Sequence, residues 1–137
     1  MSEGNNNITI GQLTETINNK MDRDGLNANT SCIFVVSKQD PTPENGYTWY
    51  RKYSDGWVEQ GGVTGAVTRT GISISLPVTM SHTNYNIIAT VQKSSVINEL
   101  GLTAIPTAVD SFTLFLGAYN GGAPNLPCYW QVSGIAA

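Results

Sequence analysis

Between Tyr47 and Gly62 the chain reads YTWYRKYSDGWVEQGG, and few local structures accept such a run. Tyr47, Trp49, Arg51 and Tyr53 alternate with Thr48, Tyr50 and Lys52, which is the period of a strand. Ser54-Asp55-Gly56 follows as a strong turn signal. Trp57 and Glu59 then open a returning strand that Gly61-Gly62 closes. The segment predicts a β-hairpin.

Most of what surrounds it has the same character. Ile33-Phe34-Val35-Val36 is a compact apolar run, and 37–46 (SKQDPTPENG) is a loop by its prolines, charges and glycine. Strands are expected at 64–69, at 71–78, where Ile72, Ile74 and Leu76 share a face, and at 84–92. The stretch 93–107 is less regular. From Val109 to Leu116 alternation returns, with Phe112, Leu114 and Leu116 on one face. A Gly, Asn and Pro loop covers 117–127, and Cys128 to Ile135 forms the closing strand. Strands this short and evenly spaced predict an all-β fold, an antiparallel β-sandwich or barrel-like knob over 30–137.

Residues 1–29 read differently. Residues 1–7 are polar and are expected to be disordered. Thr9 followed by Gln12 resembles a capping box. Ile10, Leu13, Ile17 and Met21 follow at spacings of three and four, and Gly25 can end the helix. A short amphipathic helix over about 10–22 is marginal alone in water. Its apolar stripe has two readings, docking onto its own domain or self-association, and Ile at such positions suits a trimer.

Composition narrows the function classes. Charged residues are 12% of the 137, about half the usual share, so Asn, Thr, Ser and Gly must build the polar surface. Seven basic residues spread along a chain of net charge -3 make no basic patch, which argues against nucleic acid and anionic membranes as partners. No apolar run has the length to span a bilayer, and the first residues carry no charged-then-apolar signal, so folding in a cytoplasm is expected. Cys32 and Cys128 have no metal-type spacing. They are expected as two buried thiols, with a disulfide as the alternative.

The search for chemistry returns no catalytic residue and no metal or cofactor site. His82, the one histidine, sits in a turn-like Ser81-His82-Thr83-Asn84. A glycan hydrolase would need two facing carboxylates from Asp55, Glu59, Asp110 and Glu44. Asp55 is better explained by the turn, and Glu59 by solvent or by Arg51 across the hairpin. The hairpin aromatics have two readings, a sugar-stacking surface, or burial in the core or a subunit interface. Trp49 and Trp57 fit the second. Tyr50, on the opposite face, fits the surface.

The hairpin resembles the C-terminal, receptor-binding knob domain of phage tail-fibre proteins, most closely over Tyr53 to Gly62, YSDGWVEQGG. ISISLPVT at 72–79, NYNIIATVQ and the closing CYWQVSGIAA resemble the strands that follow in that family. The resemblance covers about residues 45–137, and INNKMDRDGLNAN is similar to its connectors between shaft and knob. In this reading Trp49, Asp55, Gly56, Trp57, Gly61 and Gly62 are structural: Asp55-Gly56 makes the turn, Trp57 supplies burial, and Gly61-Gly62 permits a bend or a close approach to a neighbouring chain.

The resemblance implies a homotrimer on an upstream fibre shaft, assembled in the host cytoplasm and carried on the virion. Ile10, Leu13, Ile17 and Met21 would form its neck. Its receptor would be a bacterial surface glycan, lipopolysaccharide or outer-membrane protein. Some fibre tips hold metal through H-x-H, a pattern absent here. Receptor-reading residues are expected in loops 93–98 and 117–126: Lys93, Ser94, Asn98, Tyr119, Asn120 and Asn125, with Tyr50 on the hairpin. The alternatives are a structural domain that trimerises or caps a fibre or decorates a capsid, and a glycan depolymerase.

Overall fold

The structure is a computed structural model that describes residues 9–12, 32–92, 100–119 and 122–137. The chain divides into two compact units, Met1–Phe34 and Val35–Ala137. In the first, residues 10–12 are helical and Ile10 is exposed. The expected capping box is present: the Thr9 N–H donates to Gln12 Oε1 at 3.0 Å, and the Gln12 N–H to Thr9 Oγ1 at 3.1 Å. Leu13, Ile17 and Met21 lie outside the described residues.

The second unit is all-β and built from two antiparallel sheets. The larger sheet has the order β1 (Val35–Gln39), β2 (Trp49–Tyr53), β3 (Trp57–Val63), β8 (Cys128–Ile135), β5 (Asn86–Val91). The smaller has the order β4 (Ile72–Ser75), β7 (Ser111–Ala118), β6 (Leu100–Ala108). β8 therefore lies inside the larger sheet, paired with β3 on one side and β5 on the other.

Alternation builds the core between the sheets. Phe112, Leu114 and Leu116 of β7 are fully buried, and Ile74 and Leu76 join them from the β4 side. Val58 of β3 and Cys128, Trp130 and Val132 of β8 face them. Phe112 meets Trp130 edge-on, with ring centroids 5.4 Å apart and planes at 65°. Such a pair adds about 0.5–1.5 kcal/mol beyond its buried area.

One polar side chain belongs to this core. Gln60 is fully buried, which is tolerable only if its amide is paired. Its Nε2 donates to the Val78 carbonyl and its Oε1 accepts from the Val78 N–H, both at 2.9 Å. The side chain thus completes a backbone-like pair and pins the segment after β4 to β3. Tyr85 acts similarly at the β6–β7 turn. Its hydroxyl donates toward the Ala108 and Ser111 carbonyls at 2.9 and 2.7 Å. Burial, and to a smaller degree Asp110, pushes this phenol above its ordinary pKa.

The hairpin forms as expected. Tyr53 and Trp57 flank the loop Ser54–Gly56, Gly56 has φ +88°, and its N–H donates to the Tyr53 carbonyl at 3.0 Å. Asp55 Oδ1 accepts the Trp57 N–H at 2.9 Å, which explains that carboxylate by the turn.

Several expectations are corrected. Residues 64–69 are no strand; Val67 only bridges to Leu126. The less regular stretch contains β6, whose Pro106 is tolerated because this strand lies at a sheet edge. β1 reaches Gln39, into the expected loop, and β7 runs to Ala118. Of the apolar run before that loop, Val35 and Val36 are exposed, on an edge strand. Cys128 is buried, and burial raises its thiol pKa, but Cys32 is exposed rather than buried.

Candidate functional site

The outer face of the larger sheet, the side turned away from the core, is read directly from the register. Its rows run across the strands. Tyr53, Trp57 and Ile135 form the first; Arg51, Glu59, Ser133 and Asn86 the second. Trp49, Gly61, Gln131 and Ile88 form the third, and Val63, Tyr129 and Thr90 the fourth.

This corrects the reading of the hairpin aromatics. Trp57 does not supply core burial; it stands on the outer face and is 39% exposed. Trp49 is half-buried on the same outer face. Tyr50, expected as the surface member, lies on the opposite face, half-buried beside the core strand β3, with its hydroxyl 3.1 Å from Ser37 Oγ. The alternation was right, but the face that turns inward is the one carrying Val58 and Gln60.

Gly61 and Gly62 explain how two indoles fit. A Cβ on Gly61 would come within 2.8 Å of the Trp49 ring and 2.7 Å of the Trp130 carbonyl. A Cβ on Gly62 would come within 3.1 Å of the Trp130 indole. Within the chain, this pair permits a close approach of the Trp49 and Trp130 indoles. With no side chain at Gly61, the Trp49 indole can settle down against the sheet.

The third and fourth rows border a groove of about 660 Å³, lined by Trp49, Val63, Ile88, Thr90, Tyr129 and Gln131, with Pro41, Tyr47 and Gln92 at its margin. Tyr47 enters it from an ordered loop. Its backbone is left-handed, with φ +59°, which costs a bulky residue about 1–3 kcal/mol unless its surroundings hold it. Here they do. The Tyr47 N–H donates to the Thr42 carbonyl at 2.8 Å, Thr42 N–H to Asn45 Oδ1 at 2.9 Å, and Asn45 Nδ2 to the Asp40 carbonyl at 2.8 Å.

The charges of this face lie outside the groove. Lys38 Nζ is 2.8 Å from Asp40 Oδ2, and Arg51 Nη2 is 3.7 Å from Asp40 Oδ1. The hydrogen bond from Lys38, more than the charge of Arg51, holds the Asp40 carboxyl below the ordinary aspartate range. Glu59 accepts from the Tyr53 hydroxyl at 3.2 Å. Burial first, and that bond second, raise the Tyr53 phenol.

Of the residues expected to read a receptor, the three described ones do not line this groove. Tyr50 is on β2, Tyr119 is 89% exposed just after β7, and Asn125 is exposed ahead of β8. Lys93, Ser94, Asn98 and Asn120 lie outside the described residues. Sequence reasoning missed Ile88, Thr90, Tyr129 and Gln131. A signal for them existed. In CYWQVSGI every second residue from Tyr129 is opposite in face to the buried Cys128, Trp130 and Val132. His82 is exposed between β4 and β5.

No family model, curated protein or solved structure matches the chain.

Proposed function

We propose that this chain is the tip domain of a phage tail fibre, a homotrimeric adhesin that attaches the virion to a bacterial surface receptor. One observation carries the reading. The hairpin with the YSDGWVEQGG signature lies in the larger sheet and borders an outer face where Tyr47, Trp57, Ile88 and Tyr129 are exposed to solvent. Exposed aromatic and aliphatic side chains in one neighbourhood mark interaction surfaces. The polar, low-charge composition and the capping box ahead of the apolar stripe Ile10, Leu13, Ile17 and Met21 support the same reading.

Two measurements test it. Light scattering on the purified chain is expected to give a trimer mass; a clean monomer removes the homotrimer. Fluorescently tagged protein is expected to label host cells and to compete with virion adsorption. A lack of labelling on a confirmed host removes the adhesin role. The structural reading, a trimerising or capping domain, has its own support in Trp57 and Ile135. These are register partners, 39% and 43% exposed, and so offer an apolar contact to another subunit. A trimer that labels no host cell is its signature.

A further inference from the structure

We infer that the groove on the outer face of the larger sheet is a binding site for an uncharged saccharide, with Trp49 as its stacking platform. The inference deepens the adhesin reading and rests on it only for the source of the sugar.

Tyr47, Trp49 and Tyr129 bring three aromatic side chains to one groove, and Ile88 and Val63 extend the apolar surface between them. A pyranose ring has a flat face of C–H groups that packs on the negative face of an aromatic ring. Its rim is hydroxyl, and it needs partners that both donate and accept. Gln131, Gln92 and Thr90 supply amides and a hydroxyl at the same groove, and amides and hydroxyls do both.

Among the described residues, no Asp, Glu, Lys, Arg or His lines the groove. Asp40, Lys38 and Arg51 lie near one another to its side, and Glu59 is occupied by Tyr53. A phosphate, a sialic acid or a uronic acid would meet no cation among the described lining residues, and losing its hydration uncompensated is costly. The groove therefore complements a neutral ligand. Its volume, about 660 Å³, falls within the ~300–1,000 Å³ typical of ligand clefts.

Gly61 gives Trp49 room to lie against the sheet, since a Cβ there would overlap the indole. The Tyr47 backbone is held in a left-handed conformation by Thr42, itself tied to Asn45, so the point from which its ring departs is fixed before any ligand arrives. A site whose rings are already placed loses little side-chain entropy on binding.

The test is a glycan array probed with the full chain, with neutral hexose and N-acetylhexosamine oligosaccharides beside sialylated, uronic-acid and phosphorylated ones. The strongest neutral binder is then titrated by tryptophan fluorescence. Binding confined to neutral glycans is expected, with a change in Trp49 emission. Trp49→Ala is expected to weaken it at least tenfold, and Thr103→Ser, on the smaller sheet, to leave it unchanged. Gln131→Glu, an exposed change that puts a carboxylate in the groove without removing a ring, is expected to weaken it as much.

Binding to anionic glycans alone overturns the proposal. So does Gln131→Glu binding like the parent, or Trp49 emission shielded from acrylamide in the unliganded oligomer, which would make this face a subunit contact. Host-cell labelling that survives both substitutions also overturns the groove while the adhesin reading stands. Neutral-glycan binding, lost with Trp49, by a chain that labels no host supports the groove and removes the adhesin reading.

Discussion

The outer face of the larger sheet carries Trp49, Trp57, Ile88, Tyr129 and Ile135, whereas that of the smaller sheet carries Ser73, Ser75, Thr103, Ser111 and Thr113. Both rest on one core, so folding makes the same demand of each: an apolar inner face. The Ser and Thr face meets that demand and leaves water in contact with polar groups. Its exceptions are few. Ile105 is exposed, and Phe115 is half-buried against Gly71. The aromatic face goes beyond what folding asks, which points to a role in contact with something else.

The broadest way to break this comparison is to remove the shared support. Phe112→Ala deletes the ring that packs edge-on against Trp130, and a cost of about 3–5 kcal/mol is expected by chemical denaturation. A loss below about 1 kcal/mol would mean that the sheets do not share a close-packed core. A sharper test makes one substitution on each face. Gly61→Ala must displace the Trp49 indole or strain against the Trp130 carbonyl, and is expected to cost about 1–3 kcal/mol. On the smaller sheet Gly101→Ala meets nothing within 4 Å, and is expected to range from neutral to about 1 kcal/mol more stable.

Smaller effects test the surface itself. Ile88→Ser, at a side chain 60% exposed, is expected to change stability by no more than about 0.5 kcal/mol while lowering binding of an apolar dye. Thr103→Ser on the other face should leave dye binding unchanged. The smallest effect is electrostatic. Asp40 titrates below its ordinary value when folded, because Lys38 and then Arg51 favour its carboxylate. Its contribution is therefore present above the unfolded pKa and is lost as pH falls through the folded one. Thermal midpoints of the parent chain should fall slightly more steeply over that acid range than those of Asp40→Asn.

The fold class was legible in the sequence because alternation is a local signal. Ile72, Ile74 and Leu76, and likewise Phe112, Leu114 and Leu116, show their face without reference to the rest of the chain. β8 was legible for the same reason. β6 was not, because Ile105 faces outward, Pro106 interrupts the ladder, and a bulge follows between Pro106 and Ala108. The hairpin shows what alternation leaves out. It separates Trp49 and Trp57 from Tyr50 but does not say which set turns inward. That depends on Gln60, a residue that looks solvent-facing until the Val78 backbone pairs with its amide. The groove is less legible still. It gathers β2, β3, β5, β8 and the loop at 41–47, and only register brings Trp49, Gln131 and Ile88 into one row.

The place of β8 has a consequence in time. It is the latest strand in the sequence and an interior one in its sheet, so β3 and β5 share no partner until it exists. On a ribosome, the β1–β2–β3 meander can be made early and the Ser- and Thr-faced sheet before β8, yet the larger sheet stays split. Its closure joins residues about 70 positions apart, Gly61 with Gln131 among them, and such pairings are slow to form. Until β8 arrives, the edges of β3 and β5 are open to wrong partners, and that exposure ends only when β8 inserts between them.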